Sequence, residues 1–556
     1  MERRLHLLRT IGFVLFLVVM TAALPGAVWA ATCTSTGTGT WNSSNTILWS
    51  CARVPLATDD VVIANGHTVT LGVTQTTANV TIQNGGTLQG GGEFDLTVTN
   101  LTIDSGGTLM GANGTDLTVT GNWSNSGTFT HNSTDVTLAA SSGTQTVSGS
   151  TTFGDLRTAN SGTKDFGSSD ITIETFFSHG GGTDMLAGTS TFTFRGNIDI
   201  GGSLLKRFHH LIIDGTTVTH SSGEMRISGD LTVQDDKTLT FSTTKTARFN
   251  GSALQTVTLN GTGIARFDTL FINSGAIVRL PAAADSQTRF SVQTLTNSGA
   301  LQQVKTAVSG ATTFLTLKNQ LATTVYQGLD VTPGSGTPNI TVSIAGNEDT
   351  CNNPNGGSYR NRCFRLESSA AAAGSTVTLY STTGEDDISN DAFFQYVSGV
   401  WTNKAACADG VGVGGSCTAT VDLAAGDNYF LIGDSTSGPT PVVLVDFSAT
   451  TSQEGVAVEW QTAVESDFAG FYVWRSAQMD GHFEKVSPLI VATGGPVTGA
   501  SYRFVDDSVD TPGSYAYRLQ AIDLDNSSEF FAPTALALVI EPGVLTTRLF
   551  LPITNR

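Results

Sequence analysis

Ile63-Ala-Asn-Gly66-His-Thr68-Val69 returns as Ile82-Gln-Asn-Gly85-Gly86-Thr87-Leu88 and as Ile103-Asp-Ser-Gly106-Gly107-Thr108-Leu109. A looser copy follows at Ser126-Gly127-Thr128-Phe129. The closing apolar residues fall at 69, 88, 109 and 129, steps of 19, 21 and 20. A strand, a glycine turn and a second strand at that period make one coil of a β-solenoid. Thr, Val and Ile alternate with polar residues in Leu96-Thr-Val-Thr and Leu117-Thr-Val-Thr, the period of a strand with one buried face.

The surrounding composition sets the extent of the solenoid. No proline occurs between Pro55 and Pro281, so every backbone N–H there is free for sheet ladders. No cysteine lies between Cys51 and Cys351, and all nine tyrosines start at Tyr326. Asn-Ser-Gly turns begin at Asn125, Asn160, Asn273 and Asn297. These features predict an all-β chain whose residues 31–300 form a right-handed parallel β-solenoid, the handedness following the general bias of parallel crossovers. About twelve coils at ~4.8 Å each give a rod of roughly 60 Å. Asn79, Asn100 and Asn122 stand one coil apart, either as a stacked side-chain ladder or as ordinary turn asparagines. Phe153-Gly-Asp-Leu156, Phe208-His-His-Leu211 and Phe267-Asp-Thr-Leu270 echo at 55 and 59 residues, about three coils.

Residues 301–434 lose the beat and gain tyrosine, Trp401 and four cysteines, which predicts a β-sandwich with two disulfides. Ser435–Pro441 reads as a linker. Residues 442–541 read as a second sandwich: Val456, Val458 and Trp460 share one face, and Phe471, Val473 and Arg475 oppose Tyr472 and Trp474. Residues 542–556 form a C-terminal tail.

Residues 1–30 read as a signal peptide, with Arg3, Arg4 and Arg9 before an apolar run and Val28-Trp29-Ala30 at the cleavage point. Removing three Arg and one Glu, a net +2, takes the formal charge from −19 to −21. So acidic a chain, with 13% charged residues, lacks the footprint of a nucleic-acid binder, and no membrane insertion is expected after cleavage. The expected location is secreted, extracellular or at the cell surface. Six cysteines in an exported chain predict the disulfides Cys33–Cys51, Cys351–Cys363 and Cys407–Cys417 among 15 pairings.

Trp41, Trp49, Pro55, Asp59-Asp60-Val61-Val62-Ile63 and Gly66-His67-Thr68-Val69 resemble the start of a G8 domain, an extracellular, glycine-punctuated β family associated with glycans. Residues 442–541 resemble a fibronectin type III domain, with a tryptophan on an early strand and a corner tyrosine near the start of the penultimate one. The combination resembles secreted bacterial surface proteins that join strand repeats to sandwich modules. Leu551-Pro552-Ile-Thr-Asn555 resembles a sortase signal but has no glycine after the threonine.

These resemblances imply a structural or adhesive role, with extracellular matrix, cell surface or polysaccharide as partner. A carbohydrate-binding protein is the alternative, and a polysaccharide lyase or hydrolase the third reading. Lyase or hydrolase chemistry needs convergent carboxylates and a base. The candidates are Asp199, Asp214, Asp230, Asp235 and Asp236 with Arg207 or Lys237, and no spacing puts them on one face. His179, His209, His210 and His220 lie within about three coils. His209 and His210 occupy positions expected to be exposed turns. No catalytic, cofactor or metal residue is assigned. The acidic loop Gly384–Asp391 has the composition to hold calcium, whereas Asp523-Leu-Asp525 lacks the closing glutamate of a calcium loop. Trp401, Tyr359, Tyr396 and Trp474 are the aromatic residues available to stack on sugars.

Overall fold

The computed structural model describes residues 30–539, apart from 182–183, 347–361, 382–390, 398–399, 408–414, 435–441, 453–454, 466–467, 478–481, 495–498, 510–512, 524–527 and 532–534. The expected signal segment up to residue 29, the linker and the tail lie outside the described residues.

The chain is all-β, with a solenoid of about 12 turns followed by several sheets. The repeat that announces the coil stacks as its spacing requires. Val69, Leu88, Leu109 and Phe129 sit on one another in parallel register. On a second face Cys33, Val61, Val80, Leu101, Trp123 and Val147 form one column. A third face carries Val98, Val119 and Leu138. Each coil therefore has three faces, where strand–turn–strand suggested two. The sequence hides the third because two faces run together in long strands such as Leu96–Ile103, whose residues pair with separate strands on the next coil.

The corners are hydrogen-bonded too. Gly66, Gly85 and Gly106 take φ of 77°, 74° and 81°, a left-handed conformation that glycine reaches without strain. Their backbones chain along the axis, Gly66 N–H to Gly85 O at 3.0 Å and Gly85 N–H to Gly106 O at 2.9 Å. The asparagines form the stacked ladder. Asn79 Nδ2 donates to Asp60 Oδ1 at 2.6 Å, Asn100 Nδ2 to Asn79 Oδ1 at 2.7 Å, and Asn122 N–H to Asn100 Oδ1 at 2.7 Å.

The three Phe-x-x-Leu copies are not a three-coil repeat. Phe153 shares its face with Leu211, through Ile173, Phe194 and Ile213. Phe208 shares its face with Leu270. Leu156 stacks on Phe177, Ile200, His220 and Phe241, the last in ring contact with Phe267 at 5.1 Å. Each copy thus turns a different corner of the triangle, with Phe and Leu buried on either side.

The ends are closed in different ways. At the start, Cys33–Cys51 ties the first strand to its loop, and Trp41 meets Trp49 edge-on at 5.0 Å. Buried Asp59 accepts from Ala31 N at 2.8 Å and Leu56 N at 2.7 Å and pairs with Arg53. That arginine hydrogen bond, ahead of the opposing effect of burial, pulls its carboxyl down to about 2. At the other end, Ala300–Lys305 pairs in parallel with Ile277–Leu280 and antiparallel with Ile340–Ala345. The same strand closes the solenoid and opens the next sheet, which continues through Cys363–Ser368, Gly426–Asp434, Asp391–Val397 and Val400–Ala406. The strands Thr312–Phe314, Leu329–Thr332, Ala372–Tyr380 and Ser416–Leu423 form the opposing sheet. One continuous apolar core runs from Cys33 to Ile432. Cys407–Cys417 is present, and Cys363 is disulfide-bonded, while its expected partner Cys351 lies outside the described residues.

Residues 442–539 have their own core between two sheets. Val456, Val458 and Trp460 are buried together, and Trp460 stacks on Tyr502 at 5.3 Å. Phe471 and Val473 face inward, with Tyr472 and Trp474 half-buried on the other side.

Asn100→Ala removes one link that the Asn79–Asn122 ladder needs on both sides. It is expected to lower stability by about 1–2 kcal/mol for two lost hydrogen bonds. Hydrogen exchange should show faster loss of protection at the Asn122 amide; unchanged exchange there refutes the ladder's contribution.

Candidate functional site

Residues of chemical interest divide into an interior set and an exterior groove. Gln145, Lys164, His179, Lys206, His220 and Gln255 are all buried inside the solenoid. Strand parity explains why: Lys206 shares the inward face with Phe208, His179 with Phe177, and His220 with Val218. The lysine and glutamine heads reach backbone carbonyls at irregular corners, while His179 Nδ1 meets Thr158 Oγ1 at 2.6 Å and His220 Nε2 meets Gly223 O at 3.2 Å. Gln255 Nε2 donates to Ile227 O at 2.9 Å and Gly229 O at 2.7 Å. Gln145 Nε2 donates to Val119 O at 2.8 Å. Lys164 Nζ donates to Gly162 O at 2.6 Å, and Lys206 Nζ to Ser222 O at 2.5 Å and to Gly202 O. Burial lowers both lysines to about 8. Burial first, then the neighbouring Lys206, lowers His179 and His220 to about 4. These two histidines are neutral core residues. The lysines and glutamines carried an alternation signal that composition alone did not reveal.

Among the exterior candidates, Asp214 and the Asp235–Lys237 turn lie at the same corner on successive coils, Asp230 lies at another corner, and Asp199 lies within the strand Ile198–Gly201. Asp199 accepts from Ser221 Oγ at 2.5 Å, and Asp214 lies 3.4 Å from Arg195. Asp230 accepts from Thr256 N at 2.7 Å and lies 3.6 Å from His210 Nδ1. Asp235 Oδ1 accepts from Thr262 N at 2.7 Å, and Asp236 Oδ1 from Thr262 Oγ1 at 2.7 Å. Lys237 follows on the same turn. His209 and His210 are half-buried, not exposed turn residues, because Ser228 Oγ at 3.0 Å and the Asp230 N–H at 3.0 Å engage their Nδ1 atoms. Among the described residues, no group of three or more His, Cys, Asp or Glu is placed to hold a metal ion.

Of the aromatic candidates, Trp401 is buried against Tyr396, with ring centroids 5.3 Å apart. Trp474 donates from Nε1 to Gln520 at 2.9 Å and meets Phe530 edge-on, with Arg518 lying over both rings. Tyr359, the acidic loop apart from Asp391, and Asp525 lie outside the described residues.

Arg207 is brought into a feature that spacing did not suggest. It pairs in register with Arg226, which pairs with Arg248 on the next coil. Arg207 is ion-paired with Asp184, Arg226 Nε lies 2.6 Å from Glu224 Oε1, and Arg248 Nε lies 3.3 Å from the same oxygen. Beside the first two lies a groove of about 420 Å³, lined by Asp165, Leu186, Arg207, Arg226, Ser228 and Asn250 among others.

No family model and no curated protein matches the chain. Among solved structures, a β-1,2-glucanase from Parabacteroides distasonis is similar at 12% identity and a TM-score of 0.13. The match covers 43% of this chain and 36% of the enzyme's, well under two thirds of its length, and does not bear on activity. Cys33–Cys51 and Cys407–Cys417 suit an oxidising, extracellular compartment. Among the described residues, no helix is long and apolar enough to cross a membrane.

The depressed histidines give a pH signature. Unfolded histidine binds its proton near 6.5, the buried ones only near 4. Between these values the unfolded state holds more protons, so stability falls as pH drops from 6.5 to 4. His220→Phe keeps the contact with Phe241 and removes one of the two groups. Its thermal midpoint is expected to fall less steeply over that window than the parent's, with His179 retaining part of the slope. Parallel slopes overturn the assignment.

Proposed function

We propose that this chain is a secreted structural or adhesive protein, in which the solenoid is a spacer and the C-terminal sheets present contacts at a cell surface or matrix. The observation that supports it most is the continuous core from Cys33 to Ile432, which joins the rod to the first two-sheet unit through Ala300–Lys305. A rod continuous with its end module transmits force without a hinge at that junction. The Asp candidates, His209 and His210 are engaged by neighbouring groups and His179 and His220 are buried in the core, which suits a scaffold better than an active centre. The start is read as a G8-like cap, supported by the buried Trp41–Trp49 pair. The last unit is read as a fibronectin type III-like module, supported by Trp460 in its core and by Tyr517 OH donating to Asp506 Oδ2 at 3.0 Å. Glycan contact is the second reading, favoured by the arginine-lined groove.

Small-angle scattering on the mature protein checks the spacer. A compact chain of this length has a radius of gyration of ~24 Å. A value well above that is expected, and a value near it sinks the rod. Surfaces coated with the protein are expected to retain cells or matrix polysaccharide, and single replacements of Asp199, Asp230 or Asp235 should leave retention intact.

A further inference from the structure

We propose that the groove beside Arg207 and Arg226 holds an uncharged polysaccharide strand lying along the solenoid axis. The inference rests on the extracellular rod reading and supplies it with a ligand class.

The shape is the first argument. Asp165 pairs in register with Leu186, the strand Met185–Leu186 lies against Lys206–Phe208 on the next coil, and Arg207 pairs with Arg226. The lining therefore climbs four rungs, ~14 Å along the axis at the usual strand spacing. The volume of about 420 Å³ lies within the ~300–1,000 Å³ of known ligand sites. A trough that follows the rungs suits an extended polymer better than a compact metabolite.

The chemistry of the walls is the second argument. Guanidinium, carboxylate and carboxamide groups are planar and offer paired donors or acceptors. Adjacent sugar hydroxyls present the complementary pair at similar separation. The arginines are already positioned, Arg207 by Asp184 and Arg226 by Glu224. Each such pairing uses part of a five-donor fork, leaving further N–H groups for a ligand. Leu186, 41% exposed, supplies with Ala187 and Phe208 an apolar floor for a sugar ring beside the polar groups.

Charge decides between ligand classes. Arg207, Arg226 and Arg248 are balanced by Asp165, Asp184 and Glu224 in and beside the trough, and the whole chain carries −19. A polyuronate would find the attraction of the arginines offset by three carboxylates and would meet a repulsive field at longer range. A neutral chain is repelled by neither, and its hydroxyls serve both the donors and the acceptors present.

Affinity electrophoresis of the mature protein through gels cast with soluble β-glucan, xylan, mannan or polygalacturonate tests this. Retardation by at least one neutral polymer is expected. Arg207→Ala combined with Arg226→Ala should weaken it about tenfold, the loss of one or two hydrogen bonds. Leu186→Asp, at an exposed position, should weaken it as well and serves where the double variant fails to fold. Overturning results are no retardation by any neutral polymer, stronger retardation by polygalacturonate, or undiminished retardation of folded variants. None of these changes the scattering dimension, so the rod can stand while the groove proposal falls.

Discussion

The structure depends on one constraint: each coil must bring its backbone back one strand spacing along the axis, in register, on three faces at once. Parallel pairing fixes which side chain lies above which, so inward positions stack in columns whose members must fit one another. Cys33, Val61, Val80, Leu101, Trp123 and Val147 are one such column. Phe177, Phe192, Phe194 and Phe208 fill the middle coils, with ring contacts of 5.0 to 6.3 Å among them. Large rings tilt edge to face because a stack of parallel rings would set like quadrupoles against each other.

The same constraint creates a deficit at the corners. Faces satisfy their N–H and C=O groups through the ladder, while a corner that gains or loses a residue leaves some unpaired. Between Val233 and Leu259 the coil takes 26 residues to return to register, against 20 between Ile213 and Val233. Gln255 fills that longer coil's gap from inside, accepting from Gly251 N at 2.7 Å and donating to two carbonyls. Lys164 and Lys206 serve the same purpose with a charged head, and their lowered affinity for protons records the cost of holding that charge away from water. A parallel solenoid also has two open ends that would pair with foreign strands. Here the disulfide-tied tryptophan pair occupies one, and the antiparallel strand Ile340–Ala345 occupies the other.

How much of this is legible in the sequence follows from which features are periodic. The column Val69–Leu88–Leu109–Phe129 is readable because glycine corners and apolar residues recur at nearly constant steps. Cys33–Cys51 and Cys407–Cys417 are readable because each pair is local. The third face is not, since a bend without glycine, as within Leu96–Ile103, leaves no mark. The Phe-x-x-Leu echo misleads for a related reason: it records the local chemistry of turning a corner, and a triangle has three equivalent corners. The groove was hidden more deeply. Arg207, Arg226 and Arg248 stand 19 and 22 residues apart, and only the register shows that the unequal steps land on one column.

That column is where the outer surface departs from its own rule. Outward positions on the early coils repeat threonine on threonine, as in Thr97 and Thr118, or amide on amide, as in Asn79 and Asn100. Such ladders satisfy themselves or water and need nothing more. Stacked guanidinium groups repel one another, and a chain with 28 Lys and Arg in 556 residues places three of them on consecutive rungs. Glu224 bridges Arg226 and Arg248, and Phe271 lies under Arg248 at 4.2 Å, so the column is propped by partners on both neighbouring positions. A rod that needed only length could have continued with threonine. The expense of holding three cations in line is the physical reason to look for a ligand there.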